Sequence, residues 1–219
     1  MAAPPEPDPA PARTAPGEGS QEGARDSSRR LRADARRNYE RLLAEARTAF
    51  ARAGTEVSLE DIARRAGVGI GTLYRHFPDR YALMEAVFAA GIGALRAEAE
   101  RLSADPCLEA SEALAAWLGS YVTYATAYGG LSGALAEQGR MTSCHDVLSG
   151  AAALLLVPAQ RAGSVRAAAS PREVLLLTTA VAWAAERLPE GDEEGRDRLL
   201  ALLLDGLRTG HRPPPGRPG

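Results

Sequence analysis

The sequence has 219 residues, of which 45% are hydrophobic and 25% charged, and its formal net charge is −2 at pH 7. This length allows one large domain or two small ones with a sizeable core. It contains no run of ~18 uncharged apolar residues, and its start is acidic and proline-rich, so neither a membrane span nor a secretory signal is expected. Cys107 and Cys144 lie far apart without metal-ligand spacing, which indicates a cytoplasmic protein without a metal or other cofactor.

Positive charge is concentrated in one part of the chain. Between residues 25 and 80, thirteen arginines stand against eight acidic residues, whereas the rest of the chain is acidic. A basic segment beside an acidic body suggests that one part of the protein meets a polyanion such as nucleic acid. The alternative is a chance imbalance, because arginine-rich helices are common.

The chain begins and ends in segments that are predicted to be disordered. Residues 1–28 consist mostly of Pro, Ala, Gly, Ser and Glu, and residues 211–219 repeat Pro and Gly. A first helix is predicted over 31–53, where apolar residues recur at steps of three and four, with a stop at Gly54. Its start carries Arg32 and Arg36, at the end where the helix dipole disfavours positive charge, which favours a contact with phosphate.

Two short helices follow. Ser58 and Asp61 form an N-terminal capping pattern that predicts a helix over 58–66. Gly67 permits a tight turn, and a third helix is expected from residue 69 or 70 to just before Pro78. Two short helices joined by a glycine-containing turn are typical of a helix-turn-helix unit.

Six more helices are predicted, which makes an all-α protein of about nine helices. They cover 79–102, 107–128, 130–138, 143–162, 171–188 and 193–209. Pro158 is expected to kink the helix over 143–162 or to end it early. The pattern divides the chain into a segment over 29–80 that contains the helix-turn-helix and a second helical segment over 81–210.

The last two predicted helices are apolar over a wide arc, so more than one side must be covered. One interpretation is a four-helix bundle with a second copy of the chain. Its predicted contacts are Val174, Thr178, Val181, Leu199, Leu200, Leu203 and Leu207. The alternative is that both helices are interior to their own domain.

An aromatic stripe runs along the predicted helix 107–128. It comprises Trp117, Tyr121, Tyr124 and Tyr128, at steps of four, three and four. The stripe is either core packing or the wall of a pocket for a small apolar or aromatic ligand. In the second case Cys144, His145 and Trp183 are expected to face the same space.

Catalysis is not expected. The sequence has no GxSxG, HExxH or phosphate-loop motif. Cys144 and His145 are adjacent, so on a helix they point about 100° apart and are poorly placed as a nucleophile and its base. A redox sensor using Cys144 and a helical protein-interaction module are the other classes considered.

The run SLEDIARRAGVGIGTLYRHFPDRYALMEAVF, from Ser58 to Phe88, resembles the DNA-binding domain of the TetR family. The matching positions are Ser58, Ile62, Ala63, 66–68, 71–77, Arg80 and Leu83. Residues 154–163, 174–186 and 196–208 resemble a regulatory-domain branch of that family more weakly. The resemblance implies a two-fold dimer formed by the last two helices, a central small-molecule pocket and control of transcription. The usual control is repression relieved by ligand; activation and effector-independent control are the alternatives.

The third predicted helix would enter the major groove of a pseudo-palindromic DNA operator. Its outward residues are expected to be Ile70, Gly71, Thr72 and Arg75, with Tyr74 and His76 at the edge, and Gly71 allows close approach. Arg75 is expected to bind either guanine, a phosphate or an acidic neighbour. The resemblance assigns backbone or neighbouring-base contacts to Thr72, Tyr74, His76 and Arg80. Ser58 is expected to donate to a phosphate while also capping its helix.

Overall fold

The structure, a computed structural model, describes residues 19–140, 144–189 and 191–209, and side chains within 29–140, 146–189 and 191–209. These residues form eight α-helices and a short 3-10 turn at Gly54–Glu56. The helices are α1 (Gly19–Ala53), α2 (Leu59–Arg65), α3 (Ile70–His76), α4 (Arg80–Ser103), α5 (Ala110–Glu137), α6 (Cys144–Arg161), α7 (Pro171–Ala185) and α8 (Glu193–Leu207). None of these helices is both long and apolar enough to cross a bilayer.

The chain divides into two units, residues 1–40 and residues 41–219. The described part of the first unit is the N-terminal stretch of α1. Its side chains are mostly exposed, and local ion pairs join Arg36 to Glu40 at 2.8 Å and Arg37 to Asp34. All the other helices belong to the second unit.

Helix α1 begins at Gly19, twelve residues before the predicted start. Residues 19–28 were therefore wrongly predicted to be disordered. They contain Gln, Glu, Ala and Arg, which favour helix, and extending an existing helix costs far less than nucleating one. Residues 1–18 and 211–219, the rest of the two predicted tails, lie outside the described residues.

Helix α5 is continuous where two helices were predicted, so the described residues contain eight helices instead of about nine. Gly129 and Gly130 lie inside α5 in helical conformation. Each glycine costs the helix roughly 1 kcal/mol relative to alanine. Leu131 and Leu135 follow them and are both buried, which stabilises the second half of the helix by packing.

Two apolar cores form within the second unit. The first joins α2, α3 and the later part of α1 to the start of α4 and the end of α5; its largest buried side chains include Leu42, Phe50, Ile62, Leu73, Leu83, Leu131 and Leu135. The second joins the rest of α4 and α5 to α6, α7 and α8 around Trp117. Because α4 and α5 contribute to both cores, they connect the α2–α3 pair to α6, α7 and α8.

Pro158 does not end its helix early. Helix α6 continues to Arg161, and the backbone N–H of Ala162 donates to the Pro158 carbonyl at 2.9 Å. Proline removes one helical hydrogen bond to the carbonyl four residues before it. That residue, Leu154, is exposed, so water can replace the missing donor.

The exposed residues of α7 and α8 differ from those that were predicted to contact a second copy of the chain. Val174, Thr178 and Leu207 are buried in the protein's own core, where Thr178 Oγ1 donates to the Val174 carbonyl at 2.7 Å. Thr178 is therefore unavailable to a second subunit, whereas Val174 and Leu207 also line the groove between α7 and α8. Val181, Leu199, Leu200 and Leu203 are half-buried. The exposed leucines on these two helices are Leu176, Leu177 and Leu202. The arc was too wide for its spacing to reveal which side the protein covers itself.

Candidate nucleic-acid interface and ligand pocket

Local hydrogen bonds shape the turn between α2 and α3. Ser58 caps α2 by accepting the Asp61 N–H at 3.2 Å. A full capping box would also have the Asp61 side chain accept the Ser58 N–H. Here the Asp61 carboxylate pairs with Arg64 at 2.6 Å instead. Gly67 adopts φ 63°, a left-handed conformation that favours glycine, and the Val68 N–H returns to the Ala63 carbonyl at 2.9 Å. The chain can then start α3 at once.

Helix α3 has one buried and one exposed face. Leu73 is completely buried, and Phe77 just beyond the helix is nearly so. Ile70, Gly71, Tyr74 and Arg75 are exposed, and their spacing places them on one continuous face. A Cβ added at Gly71 would meet nothing within 4 Å, so another molecule can approach the backbone there.

The polar residues of this unit divide by position. Thr72 and His76 are half-buried and lie outside the main exposed arc. Arg75 forms no ion pair with any carboxylate in the described part of the chain, which leaves base and phosphate among its three predicted partners.

The Ser58 hydroxyl donates to Glu60 at 2.9 Å. The backbone N–H of Glu60 and this hydroxyl lower the pKa of the Glu60 carboxyl. Within the subunit, the Ser58 proton is therefore directed at a carboxylate.

Arg80 has an internal role that the sequence did not reveal. One of its guanidinium nitrogens donates to the Thr55 carbonyl and, at 2.7 Å, to the Val57 carbonyl. These bonds hold the segment before α2 against the start of α4. The resemblance assigned Arg80 a contact with the DNA backbone or a neighbouring base, whereas the geometry directs this nitrogen into the protein.

A salt bridge joins the two ends of α4 and α5 that meet near the helix-turn-helix. Asp79 caps α4 by accepting the Ala82 N–H at 2.7 Å, and Arg140, just after α5, donates to both its carboxylate oxygens at 2.9 and 3.3 Å. The Arg140 guanidinium, with the Ala82 N–H second, lowers the pKa of Asp79. This carboxylate is therefore ionised at neutral pH.

Arg32 and Arg36 belong to the first unit and are exposed there. The hydrogen bond from Arg36 to Glu40 raises the pKa of the Arg36 guanidinium. Both side chains lie on an exposed helical surface.

A cavity of about 370 Å³ lies between α4, α5, α6 and α7. Of the predicted pocket residues, Tyr121, Tyr124, Tyr128 and Trp183 line it. Trp117 does not, because it is completely buried and its indole N–H donates to the Leu95 carbonyl at 2.8 Å. The aromatic stripe is thus core at one end and cavity wall at the other. The side chains of Cys144 and His145 lie outside the described residues.

The remaining wall residues were not predicted from the sequence. They are Phe88, Ile92, Ala125, Gly129, Ser132, Leu148, Thr179, Ala182 and Glu186. The spacing of Thr179, Trp183 and the C-cap residue Glu186 by four and three residues places them on one face of α7 and its C-terminal cap, and this was the available signal. A second, more open cavity of about 640 Å³ shares Tyr124 and Tyr128. No three His, Cys, Asp or Glu residues among those described are grouped to hold a metal ion.

Comparison with known proteins identifies this arrangement. Residues 42–87 match the family described as bacterial regulatory proteins, tetR family, and residues 109–209 match the C-terminal domain of SbtR-like transcriptional regulators. A solved TetR transcriptional regulator from Streptomyces coelicolor is 34% identical, with 77% of this chain and 97% of that chain covered and a TM-score of 0.66. The chain belongs to the TetR family.

A second TetR-family structure, from Mycobacterium vanbaalenii, is also 34% identical. The match covers 82% of this chain and 99% of that chain, with a TM-score of 0.63. No functionally curated protein matched the sequence. Membership of the TetR family makes this protein a DNA-binding transcriptional regulator, and the exposed face of α3 belongs to its helix-turn-helix.

Proposed function

We propose that this TetR-family protein is a homodimeric repressor that binds a pseudo-palindromic operator and leaves it when a small molecule occupies the 370 Å³ cavity. The observation that carries the proposal is the exposed face of α3, formed by Ile70, Gly71, Tyr74 and Arg75 over a buried Leu73. An α-helix of this kind fits the major groove. Arg75 is the candidate for bidentate recognition of guanine, and Tyr74 for a contact with the DNA backbone. As a regulator of bacterial transcription, the protein would act in the cytoplasm.

Dimerisation is supported by the exposed leucines of α7 and α8. Leu176 and Leu202 are each 69% exposed, and Leu177 lies beside them. These residues, with the neighbouring Gly206, line one continuous apolar groove. Burying such a face against a second copy removes apolar surface from water on both subunits and gives the two-fold symmetry that a palindromic operator requires.

Ligand control is supported by α5, which contributes to the cavity and to the core of the helix-turn-helix. Tyr121, Tyr124 and Tyr128 line the cavity, and Leu131 and Leu135 are buried one and two turns further along. Arg140 then reaches the N-terminal cap of α4. A ligand that favours one position of α5 would shift the population toward a spacing of the two α3 helices that no longer fits successive major grooves.

The test is selection of genomic DNA fragments by the purified protein, followed by a gel-shift titration in salt on the best fragment. We expect a pseudo-palindromic site whose affinity falls steeply as salt rises, because the bound protein displaces counterions from phosphates. No enriched site, with only weak and sequence-independent binding, would contradict a sequence-specific regulator. A reporter gene behind the selected site then distinguishes repression, in which deleting the regulator raises expression, from activation.

Tyr74→Ala provides the matched variant for that titration. We expect the operator affinity to fall roughly tenfold, because one contact of the groove-facing helix is lost. The free energy of unfolding should change by less than about 0.5 kcal/mol, as for most substitutions at exposed sites. Leu154→Ala on α6 is the control, since Leu154 is 42% exposed and Tyr74 45%. Equal operator affinity in the two variants would remove Tyr74 from the interface.

A further inference from the structure

The hydroxyl groups around the 370 Å³ cavity are engaged as hydrogen-bond donors to other groups of the protein. Thr179 Oγ1 donates to the Leu175 carbonyl at 2.8 Å. The Tyr121 hydroxyl lies 2.9 Å from the same Thr179 oxygen and must therefore be the donor in that bond. The Thr179–Tyr121 pair consequently offers a ligand lone pairs and no hydroxyl proton.

The other hydroxyls of the wall follow the same pattern. Tyr124 donates to the Phe88 carbonyl at 3.0 Å, Ser132 donates to the Gly129 carbonyl at 2.8 Å, and Tyr128 donates to the Arg47 carbonyl at 3.5 Å. Among the described side chains of the wall, the indole N–H of Trp183 is the donor that is left. The polar part of the cavity therefore consists mainly of hydrogen-bond acceptors.

Glu186 adds a formal negative charge to these acceptors and is the charged side chain among the described wall residues. Its Oε1 lies 2.7 Å from the point where a Cβ on residue 129 would stand, so the absence of a side chain at Gly129 makes room for the carboxylate against α5. The nearest cation is Arg187, with 4.0 Å between its NH1 nitrogen and Glu186 Oε2. That guanidinium is engaged elsewhere, because it stacks 3.4 Å from the centre of the Trp183 ring and donates to the Trp183 carbonyl at 2.7 Å.

From these contacts we infer that the effector of this regulator is a cation, a protonated amine carried on an aromatic or apolar body. The ammonium group would donate to the Glu186 carboxylate and to hydroxyl oxygens of the wall. The rings of Tyr124 and Tyr128 line the cavity, and aromatic π faces attract cations and pack against aromatic groups, whereas one face of Trp183 is already covered by Arg187. An anionic ligand would meet a carboxylate and acceptors, and a neutral alcohol would lose the ionic contact. This inference rests on the proposed function, in which the cavity is the effector site.

The test uses the full chain and three matched sets of small probes, measured by titration calorimetry. The probes are phenethylamine and tryptamine, the alcohols 2-phenylethanol and tryptophol, and the carboxylates 3-phenylpropanoate and indole-3-propanoate. We expect each amine to bind at least about tenfold more tightly than its alcohol, as for a hydrogen bond to a charged group, and the carboxylates to bind most weakly. Alcohols or carboxylates that bind as tightly as the amines, or no binding of either amine, would overturn the inference.

Two variants connect any amine preference to the carboxylate. Glu186→Gln keeps the shape of the side chain and should abolish the preference for amine over alcohol. Gly129→Ala should weaken amine binding by displacing the carboxylate without removing its charge. Glu194→Gln, which removes a 91% exposed carboxylate on α8, is the control and should retain the preference. An unchanged preference in Glu186→Gln would contradict the assignment.

Operator binding is measured on the same samples without any probe. If Glu186→Gln and the wild-type chain bind the operator equally but neither prefers amines, the inferred effector class is wrong while the regulator function stands. If the wild-type chain selects no DNA site, the proposed function itself fails, whatever the probes do.

Discussion

Three arginines around the helix-turn-helix have different surroundings in this protein. Arg75 is exposed on α3, Arg80 donates to backbone carbonyls before α2, and Arg140 pairs with the capping carboxylate Asp79. Arg75 lies within α3, Arg80 is the first residue of α4, and Arg140 follows the end of α5. The charge count could indicate a polyanionic partner. It could not distinguish an arginine that contacts DNA from one that stabilises the helix-turn-helix.

Arg80→Met tests the internal role of Arg80. Both acceptor carbonyls lose their charged donor, so we expect the free energy of unfolding to fall by about 1–3 kcal/mol in denaturant titrations. The salt dependence of operator binding should keep its slope, measured where the variant is still folded. A slope reduced by roughly one, with no loss of stability, would instead assign Arg80 to a phosphate.

At the scale of elements, α5 carries the main difference between expectation and structure. The glycine pair at 129–130 indicated a break, and the structure has an uninterrupted helix. Local preference is overcome because Leu131 and Leu135 fill the core around the helix-turn-helix. The same continuity brings Gly129 beside Glu186 and gives the cavity its acidic side. A helix broken at the glycine pair 129–130 would not connect the cavity and the helix-turn-helix in one rigid element.

Arg140→Gln tests the connection between the end of α5 and the start of α4. The pKa of Asp79 is held below its ordinary value near 3.9, so the pair stabilises the folded state above that pH and ceases to do so as the pH falls through the lowered pKa. The variant should be less stable than wild type at neutral pH, and the difference should shrink as the solution is acidified. Urea unfolding between neutral and acidic pH measures both.

The control for this pH experiment is Arg96→Gln, which breaks an exposed pair with Glu100 on α4. Exposed pairs of this kind contribute little, so its pH profile should follow that of wild type. Parallel profiles of Arg140→Gln and wild type would show that the Asp79 pair does not couple protonation to folding.

For the whole molecule, the question is which face a second subunit covers. Leu202→Glu places a charge on the exposed apolar face of α8, so we expect a folded monomer and loss of tight operator binding, because one subunit contacts only half of a palindrome. Sedimentation equilibrium reports the subunit count and circular dichroism reports folding. Leu154→Glu on α6 is the matched control and should stay dimeric. A Leu202→Glu variant that remains a tight-binding dimer would place the interface elsewhere.

The choice of Leu202 depends on the structure. Leu203, which the sequence placed in the interface, is half-buried against the protein's own core, so a charge there would test folding as well as dimerisation. The width of the apolar arc explains why the sequence could not rank Leu202 above Leu203. On a helix that is apolar nearly all round, periodicity marks no boundary between the inner face and the face for a partner.

Signals between near neighbours in the chain were enough to predict the all-α class, the α2–turn–α3 unit and most of the exposed face of α3, and the resemblance of the run from Ser58 to Phe88 predicted the family. Caps, glycine turns and helical periodicity act over a few residues, and they have the same meaning in any fold. The roles of Trp117, Arg80 and Glu186 depended instead on groups 22, 25 and 57 positions away in the chain, namely the Leu95 and Thr55 carbonyls and the bare backbone at Gly129. Burial and hydrogen-bond partnership are properties of the assembled core, so only the packed helices could separate core from cavity wall and an internal arginine from one that faces DNA.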